Sequence, residues 1–154
     1  MKFCVFSDSH NRSEQMLLAL GLEKPDAMLF LGDGERDLEA VYERFPSLPV
    51  YAVRGNCDYW SELPEYLCAE LDAVPVFFTH GHLFGVKRDL IELESAARSL
   101  DARIVLFGHT HEAYLREDEE LTVLNPGSIG DYGEHTYAVI ETNGDQFTIR
   151  IEEI

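Results

Sequence analysis

Five stretches of this sequence run apolar and then end on side chains able to bind cations. Val5-Phe6-Ser7-Asp8-Ser9-His10 delivers Asp8 and His10, and Phe30-Leu31-Gly32-Asp33 delivers Asp33. Val53-Arg54-Gly55-Asn56 delivers Asn56, Phe77-Phe78-Thr79-His80 delivers His80, and Leu106-Phe107-Gly108-His109-Thr110-His111 delivers His109 and His111. One such histidine alone reads as an ordinary core or turn residue. Seven ligand-type residues after five successive β-like runs are not explained by chance placement, and together they point to a metal site. Their mixture of carboxylate, amide oxygen and imidazole is hard to intermediate in character. It suits Mn, Fe, Co, Ni or Zn and is too nitrogen-rich for a pure Mg or Ca site. Seven ligands exceed one tetrahedral ion. If one carboxylate bridges, they divide into two sets of four, and cations about 3.5–4 Å apart form the usual clamp for displacement at phosphorus. No GxGxxG follows the first run, and GxxxxGK[ST], HExxH and GxSxG are absent, which removes the usual nucleotide-loop, zincin and serine-hydrolase chemistries.

The elements that must carry these residues can be read from periodicity. Residues 2–6 form a buried strand, followed by a helix with Ser13 as N-cap, Met16, Leu17 and Leu20 at helical spacing, and Gly21 as its left-handed close. Residues 27–31 form the second strand. Residues 35–45 place Leu38, Val41, Tyr42 and Phe45 on one helical face, and residues 50–53 form the third strand. This order of strand, helix, strand, helix, strand builds a parallel sheet. Residues 66–71 and 74–79 read as strands joined at Asp72-Ala73, residues 89–100 as a helix and 104–107 as a buried strand. The remainder is all strand, at 113–116, 121–124, 136–141 and 147–151, with Asn143-Gly144 as a type I′ hairpin turn. In open α/β sheets ligands bind at the carboxyl ends of strands. All seven candidate ligands fall at such ends.

Composition narrows the chemistry further. The 154 residues fit a single domain spanning 1–154, and 45% hydrophobic with 27% charged residues describe a globular protein rather than a disordered or repetitive one. Lys+Arg number 12 against 29 Asp+Glu, a net charge of -17. Non-specific nucleic-acid binding depends on Lys and Arg releasing counterions, so it is not expected here. Bound cations could still reverse the potential inside one cleft. Three cysteines without CxxC spacing, no signal-like leader and no membrane-length apolar run suggest a reducing, cytoplasmic setting and no membrane association.

Asp8-Ser9-His10, Gly32-Asp33, Gly55-Asn56-Cys57-Asp58, Thr79-His80-Gly81-His82 and Gly108-His109-Thr110-His111 resemble, in order, the motifs of the calcineurin-like metallophosphoesterases. Gly55–Asp58, His80–Gly85 and Asn125-Pro126-Gly127-Ser128 are similar to the small YfcE-like phosphodiesterase branch, and the resemblance spans residues 1 to about 130. It implies an α/β fold, a two-sheet β-sandwich flanked by helices in αββα order. It also implies a dinuclear centre hydrolysing a small phosphoester, with Asp8, His10 and His111 on one metal, Asn56, His80 and His109 on the other, and Asp33 bridging. A hydroxide between the ions is the implied nucleophile, and two divalent ions are the implied cofactor, Mn first, then Ni, Co, Fe or Zn.

Asn56, Cys57, Asp58 and His80 form the expected catalytic set. Cys57 stands where many family members carry a histidine thought to protonate the leaving group; a thiol is a weak acid, and a small loop-packing residue is the other reading. Asp37, Asp58 and His82 are candidates for orienting ligands by hydrogen bonds, and Asn11 and Arg12 for meeting a substrate phosphate. Asn125–Ser128 reads as a rigid turn at the rim or a simple hairpin connection. Tyr59 and Trp60 contact a substrate base or acyl group, or pack in the core. Leu83 and Phe84 support a homo-oligomer or pack internally. Two other functions are weighed: a catalytically weak metal-binding scaffold of the same fold, disfavoured because all seven ligand positions are filled, and a nuclease, disfavoured by the acidic charge.

Overall fold

The computed structural model describes residues 1–154. Strand β1 (Lys2–Phe6) leads to α1 (Glu14–Glu23), β2 (Ala27–Phe30), a 3-10 turn over Glu35–Asp37 that runs into α2 (Leu38–Arg44), and β3 (Val50–Ala52). Then come β4 (Tyr66–Leu71), β5 (Val74–Thr79), a short 3-10 turn at His82–Phe84, α3 (Ile91–Ser99) and β6 (Ile104–Leu106). β7 (Ala113–Arg116), β8 (Thr122–Pro126), β9 (Thr136–Asn143) and β10 (Gln146–Glu153) complete the chain. No helix is long and apolar enough to cross a membrane.

The strands form two five-stranded sheets, β10-β9-β1-β2-β3 and β4-β5-β6-β8-β7. β1, β2 and β3 run parallel in one, β5, β6 and β8 in the other, and the outer pairs are antiparallel. Alternation along each strand explains the layers. Phe3 and Val5, with Leu29 and Leu31, face Val76, Phe78, Ile104 and Leu106 across the space between the sheets. Cys4, Phe6, Met28 and Phe30 point the other way, onto Met16 and Leu20 of α1 and Leu38 and Val41 of α2. Phe77, Val105 and Val123 meet Leu93 and Ala97 of α3. Strands buried on both faces read as unbroken apolar runs, which is why the sequence marks them so clearly. The result is the αββα sandwich expected.

Four local expectations fail. α1 continues past Gly21 to Glu23 and closes at Lys24 (φ 49°), whose N–H bonds to the Leu20 carbonyl, because Pro25 rather than Gly21 forbids further turns. Ser13 precedes the helix but makes no side-chain cap. The last hairpin pairs Asn143 with Gln146, so its central residues are Gly144 and Asp145; only Gly144 has a positive φ, which excludes the type I′ turn. Tyr42 leaves the expected helical face and is half exposed.

Candidate metal centre

The carboxyl ends of β1, β2 and β3 meet those of β5 and β6 at one edge of the sandwich. The meeting is hydrogen-bonded: Asp8 Oδ2 accepts the His109 N–H at 3.1 Å, and the Ser128 hydroxyl donates to the Asp8 carbonyl at 2.8 Å. Asn125, fully buried, donates to the Gly108 carbonyl and the Thr110 hydroxyl. The Asn125–Ser128 turn therefore ties the Asp8 and His109 loops together and is more than a connection. Two loop glycines are needed for close approach: a Cβ on Gly108 would lie 1.9 Å from Ser7 Oγ, and one on Gly55 2.0 Å from Asp33 Oδ1.

Within this edge, donor atoms of Asp8, His10 and His111 lie within 4.8 Å of one another, as do those of Asp33, His80 and His109, and those of His10, Asp33 and Cys57. His111 Nε2 stands 3.1 Å from Asp8 Oδ1 and 3.2 Å from His10 Nε2. Asp33 Oδ2 is 3.4 Å from His80 Nε2 and 3.9 Å from His10 Nε2, so one carboxylate oxygen faces both groups. Asp33 Oδ1 is held by the Cys57 N–H at 2.7 Å. Asp8 Oδ1 and His80 Nε2 are buried and have no hydrogen-bond partner. An unsatisfied buried polar atom costs about 1–3 kcal/mol. A carboxylate oxygen and an imidazole nitrogen left bare at one point are the complement of a cation, so the donor set fits a metal.

The imidazoles are oriented from behind. His80 Nδ1 lies 2.7 Å from the Leu31 carbonyl, and His111 Nδ1 lies 2.9 and 3.0 Å from the two carboxylate oxygens of Asp131. Each contact leaves Nε2 facing the centre. Asp131 was not among the sequence candidates; it sits in an irregular turn 20 residues beyond His111 and carries no periodic or motif signal.

Charge follows the geometry. Burial opposes ionisation of Asp8, but the imidazoles of His10 and His111 hold its carboxyl well below the usual range. Burial likewise opposes the charge on Asp33, yet His80 and the Cys57 N–H bring it to about 2. His111 is pushed up to about 9, first by Asp8 and then, against its burial, by Asp131. Burial and the charge of His80 push His109 down to about 4. Loss of hydration and the Asp33 carboxylate push the exposed Cys57 thiol up to about 11.

The other candidates divide. Asn56 is exposed, and its amide reaches only Cys57 Sγ, at 3.4 Å. Asp58 is buried and accepts the N–H groups of Asp33, Gly34, Glu35 and Gly55 at 2.7–2.9 Å, which clamps the Asp33 loop to the Asn56 loop. Its carboxylate is spent on backbone rather than turned to the centre. Asp37 accepts the Ser9 hydroxyl, between Asp8 and His10. The His82 ring lies 5.5 Å from that of His80 and bonds no neighbour through its buried Nδ1. Arg12 donates to the Gly130 carbonyl and covers the Tyr132 ring at 3.7 Å, so it is anchored at the rim, whereas Asn11 lines the cleft beside His10. Phe84 packs inward on Phe77, while Leu83 is exposed. Tyr59 and Trp60 are exposed, which rules out core packing for them.

A family model described as the calcineurin-like phosphoesterase superfamily domain matches residues 1–145. The chain belongs to this superfamily. A Bacillus subtilis protein named "Probable metallophosphoesterase YsnB" is 30% identical, over 97% of this chain and 89% of that one. A phosphodiesterase of Methanocaldococcus jannaschii is 26% identical, covering 96% of each chain. Among solved structures, a conserved protein of Streptococcus pneumoniae TIGR4 superposes with a TM-score of 0.82 at 31% identity, covering 99% of this chain and 88% of the other. A Vps29 variant of Entamoeba histolytica superposes with a TM-score of 0.79 at 24% identity, covering 100% and 98%, a likeness of fold alone.

Proposed function

We propose that this metallophosphoesterase is a phosphodiesterase that hydrolyses a small phosphoester at a dinuclear metal centre. The observation that carries the reading is the pair of bare, buried donors, Asp8 Oδ1 and His80 Nε2, one in each of two ligand groups between which Asp33 Oδ2 lies, 3.9 Å from His10 and 3.4 Å from His80. Asp8, His10 and His111 would hold one divalent cation, and Asn56, His80 and His109 the other. Asp33 Oδ2 would bridge, its second oxygen fixed by the Cys57 N–H. Mn is the first choice for this donor set, with Ni, Co, Fe and Zn as substitutes. When bound, such a pair supplies Lewis acidity at the phosphoryl oxygens and lowers the pKa of water enough to make hydroxide available near neutral pH.

The chain itself supplies position and a limit. The Leu31 carbonyl and Asp131 fix the tautomers of His80 and His111, and Asp58 sets the distance between the Asp33 and Asn56 loops. The Cys57 thiol, pushed up to about 11, stays protonated at neutral pH and is a weak general acid. Esters whose leaving groups depart without help are therefore the favoured substrates, aryl diesters ahead of alkyl monoesters. Three free cysteines fit the reducing, cytoplasmic setting expected from the sequence.

A second reading is a scaffold of the same fold with weak catalysis; the Vps29 likeness, one of fold alone, is compatible with it and with the hydrolase alike. Filled ligand positions and bare donors weigh against the scaffold. The deciding experiment is hydrolysis of a p-nitrophenyl diester and the matching monoester by metal-stripped protein reconstituted with Mn, Ni, Co, Zn or Mg, beside an Asn56→Ala, His80→Ala control. Metal-dependent diester turnover lost in the control supports the enzyme; folded protein inactive with every metal supports the scaffold.

A further inference from the structure

The cleft beside His10 and Asp33 has a second wall that the chemistry above does not use. Trp60 is the single tryptophan of the chain; it is 99% exposed, and its backbone is left-handed, with φ 63°. An indole ordinarily dominates the packing around it, and a bulky residue rarely adopts a positive φ. No contact within the chain accounts for holding this ring in water. Tyr59 beside it is also exposed, and Tyr42 is half exposed where α2 turns away from the core. All three rings line one cleft of about 810 Å³ together with His10, Asp33 and Cys57. A cleft of that size encloses an organic ligand rather than a bare phosphate.

The charged groups on the aromatic side are Glu35, Arg36 and Glu39, one cation against two carboxylates; Asp58 has its oxygens occupied by backbone N–H groups. In a chain of net charge -17, a second phosphate on this side would be repelled. Resting on the phosphodiesterase reading, we infer that the cleft is the subsite for one ester group of the substrate, and that this group is a planar aromatic ring, nucleobase or aryl, stacked on Trp60 and carrying no further phosphate. The reacting phosphorus would then lie over Asp33, with the ring reaching past Cys57 toward Trp60. Trp60 is thus a specificity residue, since every base or aryl group offers a π face and alkyl groups do not.

The test uses zinc-loaded full-length protein, in which the lone tryptophan reports its own contacts. Adenosine 5′-monophosphate should quench Trp60 fluorescence saturably and ribose 5-phosphate should not; phenyl phosphate separates a simple aryl preference from a nucleobase one. As competitive inhibitors of p-nitrophenyl diester hydrolysis, adenosine 5′-monophosphate should bind about 5- to 150-fold more tightly than ribose 5-phosphate, the range for one stacked ring. Trp60→Ala should bring that ratio near one, Trp60→Phe should keep most of it, and adenosine 3′,5′-bisphosphate should bind more weakly than the monophosphate. Equal inhibition by ring-bearing and ring-free phosphates, or quenching that depends only on protein concentration and so reports self-association, would overturn the inference. Absence of nitrophenol release by wild-type protein with every metal would count against the hydrolase reading instead, and the fluorescence titration would still decide whether rings enter the cleft.

Discussion

Asp131 offers the sharpest test of how the proposed centre is held, because its carboxylate touches one proposed ligand only, His111. Both its oxygens lie 2.9–3.0 Å from His111 Nδ1, and His111 Nε2 lies 3.1 Å from Asp8 Oδ1. Removing a carboxylate behind a ligating imidazole typically weakens metal binding about 10- to 100-fold. The Asp131 side chain is 43% exposed, so water replaces part of what it supplies. Asp131→Ala should therefore fall at the lower end, near tenfold, or about 1.4 kcal/mol. Asp131→Asn keeps an acceptor but loses the charge and should fall between. Competition with a chromogenic chelator measures the affinity, and only the metal proposed for Asp8, His10 and His111 should weaken. Since the mutation alters occupancy and not the opposite ligand group, saturating metal should restore turnover. Affinity unchanged within a factor of two, or an activity deficit that persists at saturating metal, would refute the orienting role.

Asp58→Ala should destabilise the fold by about 3 kcal/mol or more, because four backbone N–H groups lose a buried charged acceptor together; urea unfolding of the metal-free protein measures it, and a loss below 1 kcal/mol would show that the two loops do not depend on the clamp. Glu94 is held below the usual carboxylate range first by its hydrogen bond from Arg116 at 2.8 Å. A folded pKa below the unfolded one means the contribution is present above about pH 4.5 and lost as pH falls through the folded value, so the stability gap between wild type and Arg116→Gln should close on acidification toward pH 3, and a gap independent of pH would contradict it. Cys57→His should raise alkyl monoester turnover relative to aryl diester turnover, as a better proton donor replaces the thiol; an unchanged ratio would remove Cys57 from the leaving-group side.

The fold was legible because most of its ten strands have at least one buried face and the others, β7 and β10, a half-buried one, so apolar runs and their polar ends could be located without knowing their partners. The side chains gathered at the sheet edge, Asp8, His10, Asp33, His80, His109 and His111, were legible for the same reason, standing directly after those runs. Asp131 and the Asp58 clamp were not, since a hydrogen bond spanning 20 or more residues depends on where an irregular loop returns, and residue type alone does not say that. Gly21 misled because glycine permits a helix end without requiring one, whereas Pro25 requires it.

A deeper link joins legibility and strain. Asp8, His10, Asp33, His109 and His111 all have positive φ, between 47° and 68°. Left-handed backbone costs an L-residue on the order of 1 kcal/mol each, less for the Asp and His types that tolerate it. These turns bend the chain sharply at the strand ends, so that His109 and His111, which an extended strand would leave on one face, are sent to different donor groups, His109 to Asp33 and His80 and His111 to Asp8 and His10. The residue types that bind metal are here also those that accept the turn. The site therefore concentrates strain where its donors lie bare, and the loops are held by Asp58, Asn125 and Ser128 rather than by local preference. Metal, by engaging those donors, would offset part of that cost, so unfolding of the metal-loaded protein should begin elsewhere than at this edge.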